Sequence, residues 1–246
     1  YLHSHKMNIY MWSGPRNLST ALMRSFENRN DTKVWDEPLY AYYLNQTKKN
    51  HPLRNKIIDK YETNINRLIK LIIKKTKDKE IFYQKHMTHH ILDKTELEWI
   101  ENGKNCFLIR NPKDVLLSYI KKNDLTNAND IGYPMQIKLF NILKNKGIIP
   151  IVINVDNLSS HPKKILTLLC KKLNIPFTNK MLKWPKGKRD TDGIWEEIWY
   201  HNVKSSTNFK KLKKSKESIP KKYKEIYNQC LDIFNELNFY DISNGK

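Results

Sequence analysis

From Trp12 to Leu22 the chain reads Trp-Ser-Gly-Pro-Arg-Asn-Leu-Ser-Thr-Ala-Leu. A turn of this kind between a strand and a helix points successive backbone N–H groups, and the positive end of the helix, at one anion. Arg16 adds a fixed positive charge, and Ser19 and Thr20 add two hydroxyl donors. The same residues also suit an ordinary strand-to-helix turn in which Ser19 is only an N-cap. A Walker A loop needs a second glycine followed by a lysine. This loop has neither, which disfavours ATP or GTP hydrolysis.

A second segment runs Arg110-Asn-Pro-Lys-Asp-Val-Leu-Leu-Ser-Tyr119. Arg110 follows an apolar run that reads as a strand, and ligands of open α/β sheets bind at the carboxyl ends of strands. Ser118 lies eight residues further on, about two turns into the next helix, so it projects from the same side. A guanidinium fork and a hydroxyl converging on one point suit a phosphate monoester. A surface arginine beside a well-capped helix would look the same in isolation.

These groups need a scaffold, and hydrophobic periodicity supplies one. Strands are expected at Asn8 to Trp12, Lys33 to Trp35, Ile81 to Gln84, Asn105 to Ile109 and Ile148 to Val155. Helices are expected from Ser19, over Lys56 to Lys75, over Pro112 to Lys122 and over Pro162 to Leu173. Asn111 is placed to cap the third of these, with Pro112 at its first position and Asp114 in its first turn. The rest, from Asn174, reads as helical with a loop-like centre at Pro185 to Asp192. Strands alternating with helices predict one α/β domain of three layers, a central parallel sheet flanked by helices, over residues 7–246. Residues 1–6 add nothing to this pattern and read as a leader or an appended remnant.

Composition narrows the class. The 246 residues are 39% hydrophobic and 11% aromatic, as in a globular domain. No apolar run approaches the roughly 20 residues of a membrane helix, and no secretory hydrophobic stretch follows Tyr1. Three widely spaced cysteines, Cys106, Cys170 and Cys230, argue against a disulfide framework or zinc site and for the cytoplasm. The net charge of +20 fits an anionic partner, but lysine is scattered along the chain, as composition bias alone would leave it.

The two segments together resemble the donor-binding motifs of sulfotransferases that use 3′-phosphoadenosine-5′-phosphosulfate (PAPS). Pro15-Arg16-Asn17-Leu18-Ser19-Thr20 takes the place of that family's Pro-Lys-Ser-Gly-Thr-Thr loop, which holds the 5′-phosphosulfate. Arg110 and Ser118 match its 3′-phosphate motif almost letter for letter. Val155-Asp-Asn-Leu158, His161-Pro162 and Leu169 to Phe177 are similar to a later strand–helix–Ile-Pro pattern. Asp36-Glu37-Pro38, Asp192-Gly193-x-Trp195 and Trp199-Tyr200 look like a bacterial-type subgroup.

The resemblance implies a P-loop NTPase-like sulfotransferase fold, PAPS as donor, adenosine 3′,5′-bisphosphate as product, and no metal. It places Lys186, Gly187 and Arg189 against the 3′-phosphate. It gives Arg16 and Lys85 the charge of the leaving phosphate. The family's Lys-x-His reads Lys85-His86-Met87 here, so the base falls among His86, His89, His90 and Glu37, the His89/His90 pair being favoured and Glu37 serving as the alternative base or as the residue that orients the imidazole. The acceptor is expected to be a small organic molecule, with no nucleic acid or membrane partner. Its pocket falls in Leu39 to Asn55, Asn123 to Tyr133 and Lys186 to Ser206, where Tyr40, Tyr42, Tyr43, Trp195, Trp199 and Tyr200 supply aromatic surface. A nucleotide kinase on the same scaffold would leave Arg110 and Ser118 without a role. A basic nucleic-acid-binding module finds no matching motif.

Overall fold

The computed structural model describes residues 6–245, so the expected leader lies almost wholly outside the described residues. Lys6 is inside, its ammonium donating to the carbonyl of Thr76 at 2.7 Å.

Five strands form one sheet: β1 (Met7–Ser13), β2 (Thr32–Asp36), β3 (Ile81–Met87), β4 (Lys104–Ile109) and β5 (Ile151–Asn154). Their spatial order is β2-β3-β1-β4-β5, and every pairing is parallel. Each therefore needs a crossover, and helices cover both faces. Period-two alternation in β1 divides the core: Tyr10 and Trp12 enter one apolar cluster, Ile9 and Met11 the other. Helix α1 (Ser19–Glu27) and Pro162–Leu173 pack on the second face. Tyr133–Asn145 and Lys224–Asn238 pack on the first. The three-layer expectation holds.

Several elements depart from expectation: from Asn174 to Pro220 the chain is mostly loop with short helical turns, because few apolar residues there recur at helical spacing, and the helix expected to reach Lys122 ends at Tyr119. After α2 (Tyr40–Thr47), the helix expected over Lys56 to Lys75 is two helices, α3 (Arg54–Lys60) and α4 (Ile65–Ile73). Glu62 accepts the N–H groups of Thr63 and Asn64, and Asn64 caps α4 by accepting from the Arg67 N–H. Those side chains give the backbone an alternative to continuing the helix. The strand expected from Ile148 begins only at Ile151; Ile148 and Ile149 are 37% and 59% exposed. At its other end the Asn154 side chain accepts from the Asp156 N–H and starts a short helix at Val155.

Helix α5 (Pro112–Tyr119) is capped as expected, Asn111 Oδ1 accepting the Lys113 N–H at 3.0 Å. The strand β3 runs three residues past the expected end, and all seven of its residues are buried. That extension carries Lys85 to the carboxyl edge of the sheet.

Candidate functional site

The carboxyl ends of β1, β2, β3 and β4 lead into Gly14, Glu37, Thr88 and Arg110, and a cleft of about 470 Å³ opens beside the first three. Its floor at one end is the loop Pro15 to Thr20. Arg16 and Leu18 take left-handed conformations, φ 64° and 57°. Side chains other than glycine resist that region, so the loop holds strain of the kind found at ligand clamps. Leu18 precedes α1 and offers no side-chain cap, so the first N–H groups of the helix stay open to an acceptor. Gly14 lets the loop approach its neighbour: a Cβ there would stand 2.5 Å from the Ile131 carbonyl oxygen. Asn17 is buried, with Oδ1 unpartnered.

Arg110 reaches the loop from the next strand. Its Nη1 donates to the Arg16 carbonyl at 2.7 Å, while its Nε is buried without a partner. Tyr133 OH donates to the Arg110 carbonyl at 2.6 Å and fixes the strand end. Burial pulls the Arg16 guanidinium below the ordinary arginine value, and the nearby positive charge of Arg110 adds to this. Two close cations with no carboxylate between them form an anion site. Neither Arg110 nor Ser118, which is half-buried on α5, belongs to the cleft lining, although their neighbours Arg16 and Tyr119 do.

At the carboxyl end of β3 Lys85 is almost fully buried. Its Nζ lies 3.0 Å from Asp36 Oδ1, 2.6 Å from Glu37 Oε1 and 2.6 Å from Tyr200 OH. Tyr200 OH in turn donates to the Asp36 carboxylate at 2.7–2.8 Å. Asp36 also receives the Gly193 N–H and the Trp195 indole N–H, at 3.2 and 3.1 Å. Glu37 has φ 46°, and its N–H donates to the Lys85 carbonyl at 2.9 Å. This kink after β2 turns the carboxylate to the ammonium. Burial raises the Glu37 pKa, and Lys85 opposes the shift. Two carboxylates offset the burial cost of Lys85 and hold it charged, its pKa raised.

His89 and His90 form a single 3₁₀ turn after β3 and line the same cleft. The His90 ring stacks at 4.8 Å on both Tyr40 and Tyr43. Burial pushes His89 down to about 3 and His90 well below the usual imidazole value, so both are neutral at physiological pH. His86 points away from the cleft, stacked on Trp12 at 4.7 Å and bonded to Gln84. Of the expected aromatic residues, Tyr40, Tyr43, Trp199 and Tyr200 line the cleft. Tyr42 faces elsewhere and meets Thr95 Oγ1, while Trp195 lies behind the wall on Asp36.

Lys186, Gly187 and Arg189 do not line the cleft. The Arg189 guanidinium folds back onto the carbonyls of Pro185 and Gly187, because its own loop offers close acceptors. Besides Arg16, Lys49 and Lys85, the basic groups that reach the cleft are Lys210, Lys211 and Lys213. The signal for them was a lysine run, hidden among so many other lysines. Asp36 was the other residue missed as a partner of Lys85; the Asp-Glu-Pro sequence gave its place but not its contacts.

Residues 7–229 match the Sulfotransferase domain family. Two curated Arabidopsis thaliana proteins, branched-chain-amino-acid aminotransferase-like proteins 1 and 2, are 36% and 34% identical to this chain over 229 residues. The alignments cover 93% of this chain and 41% of each relative, so the chain spans under half their length. Among solved structures, the sulfotransferase domain of the Synechococcus PCC 7002 olefin synthase aligns with TM-score 0.58 at 13% identity, covering 96% of this chain and 97% of that one. The sulfotransferase domain of the curacin biosynthetic pathway aligns with TM-score 0.50 at 16% identity, covering 91% and 97%. Those two likenesses speak for the fold.

Proposed function

This chain belongs to the sulfotransferase family, and we propose that it moves a sulfuryl group from PAPS to a hydroxyl or amine of a small organic acceptor. The observation that carries the reading is that the Arg110 guanidinium reaches the Pro15 to Thr20 loop at the open amino end of α1, its Nη1 donating to the Arg16 main-chain carbonyl at 2.7 Å, with the Arg16 charge close by. Two such cations, one with a buried unpartnered Nε, fit a nucleotide bearing phosphate at both the 5′ and 3′ positions.

The donor supplies a sulfuryl group already activated on a phosphate. Arg16, Ser19, Thr20 and the loop amides, with Pro15, Asn17 and Leu18 shaping the turn, hold its 5′ end. Arg110 holds the 3′-phosphate, with Lys210, Lys211 and Lys213 nearer to hand than Lys186, Gly187 and Arg189. Ser118, on α5 about two turns beyond Arg110, adds a hydroxyl to the same phosphate. Lys85 and Arg16 place positive charge where the leaving phosphate gathers it, a preorganised stabilisation that acts in the transition state. Glu37 takes the acceptor proton. His89 and His90, neutral and weakly basic, shape the acceptor wall instead.

Residues 7–246 act in this reading as one domain. A cytoplasmic setting suits its three buried free cysteines. Among the described residues no helix is long and apolar enough to cross a membrane. Calorimetry tests the reading: adenosine 3′,5′-bisphosphate should bind at least tenfold more tightly than ADP, a factor of about ten being one charge-assisted contact. Equal affinities would refute it.

A further inference from the structure

The cleft has a second end, away from the Pro15 to Thr20 loop. There α2 presents Tyr40 and Tyr43 on one face, and the chain beyond it returns Lys49 and His51 to the same wall. Tyr40 OH lies 2.9 Å from His51 Nδ1, and the Lys49 ammonium stands 6.0 Å from the centre of the Tyr43 ring. Burial holds His51, like His89 and His90, below the ordinary imidazole value, so this wall is aromatic and uncharged apart from Lys49 and its partner. Lys49 Nζ donates to Asp130 Oδ1 at 2.7 Å. Asp130 Oδ2 is already met by the Thr126 N–H, the Thr126 hydroxyl and the Asn127 N–H. The contact to Asp130 thus orients Lys49, and an ammonium has further donors to offer.

We infer that the acceptor is a hydroxyaryl acid, a flat ring bearing the reactive hydroxyl at one end and a carboxylate at the other, with Lys49 as the residue that selects the carboxylate. This rests on the proposed sulfotransfer. The wall carries its own ruler. Tyr40 and Tyr43, three residues apart on α2, are offset by roughly 4.5 Å along its axis, and Glu37 stands before them at the kink after β2. A ring lies against Tyr40, Tyr43 and His90. The other cations of the cleft have other work in this reading: Lys85 lies between Asp36 and Glu37, and Arg16, Lys210, Lys211 and Lys213 serve the donor. In the reaction the hydroxyl oxygen bonds to sulfur, its proton passes to Glu37, and the bond from sulfur to the donor phosphate breaks.

The test compares para-hydroxyphenylacetate with its methyl ester as acceptors for PAPS, following release of adenosine 3′,5′-bisphosphate, with binding of each phenol measured by calorimetry. The wild-type protein should favour the acid over the ester by about tenfold or more in kcat/KM, the size of one charge-assisted hydrogen bond. Lys49→Met should abolish that preference and Lys49→Arg should retain it. Lys49 is 42% exposed, so both variants are expected to fold, which thermal unfolding checks. Equal use of acid and ester, or a preference that survives in Lys49→Met, overturns the inference. If the bisphosphate binds while neither phenol binds or is sulfonated, the acceptor class is wrong and the donor reading stands. If the bisphosphate does not bind, the proposed function falls and takes this inference with it.

Discussion

Arg24 and Asp192, 168 residues apart, meet fork to fork: Nη1 to Oδ1 at 2.6 Å and Nη2 to Oδ2 at 2.7 Å, both side chains essentially excluded from solvent. The contact ties α1, whose amino end faces the cleft, to the loop that sends Gly193 and Trp195 onto Asp36. Asp36 in turn braces Lys85. One buried ion pair therefore fixes α1 and Lys85 in a single frame.

The first prediction follows from that burial. Arg24→Met should lower unfolding free energy by about 3–5 kcal/mol, because it leaves Asp192 charged, buried and unpaired. The Arg24→Met/Asp192→Leu double variant should recover much of the loss, since an apolar pair removes both desolvated charges. Urea unfolding measures each. A single variant within 1 kcal/mol of the parent would mean that the pair is not the brace it looks like.

The second prediction separates the two anion-binding arginines. Arg110→Ala should weaken adenosine 3′,5′-bisphosphate binding by about tenfold to a hundredfold, the loss of a charged hydrogen bond, with little change for ADP. Arg16→Ala should act chiefly on turnover at saturating donor, because charge changes during transfer only on the 5′ side. Loss of affinity alone in both variants, with saturated turnover intact, would remove Arg16 from the chemistry.

How far the sequence could be read differs from place to place, for physical reasons. The loop after β1 and the cap of α5 are local: Gly14, Asn111 and Pro112 act through their own backbone, so spacing suffices. The break at Tyr61 to Asn64 is also local, but an unbroken apolar stripe spans it, and periodicity outvotes two capping side chains. Ile148 and Ile149 resemble strand residues by type alone, since nothing local reports that no neighbour covers them. The brace on Lys85 is tertiary. Asp36, Tyr200 and Trp195 come from distant segments, and no spacing rule connects them. Lysines 210, 211 and 213 failed for want of contrast, because charge recognises a site only where its surroundings are not equally charged.

The last prediction concerns the proton. Burial raises the Glu37 pKa above the ordinary carboxyl value, while the Lys85 charge and the bonds from Lys85 and Tyr200 hold it back. The carboxylate is the active form, so turnover should climb with pH through that raised pKa and then level off. Lys85 stays charged beyond it, its own pKa being raised by the two carboxylates against the cost of burial. Tyr200→Phe removes a hydroxyl dipole 3.5 Å from Glu37 Oε1 that favours the carboxylate, so the rising limb should move to higher pH. Glu37→Gln should erase the limb and cost roughly a hundredfold to ten-thousandfold in turnover, as loss of a general base does. Bisphosphate affinity should stay near the parent value. The imidazoles make the opposite forecast: His89, pushed down to about 3, would set a limb below the ordinary carboxyl range, and Tyr200→Phe would leave it in place. His89→Phe and His90→Phe are therefore expected to alter acceptor KM more than the pH profile. A Glu37→Gln variant that keeps both its turnover and its limb, beside a His89→Phe or His90→Phe variant that loses them, would transfer the proton to the histidine pair.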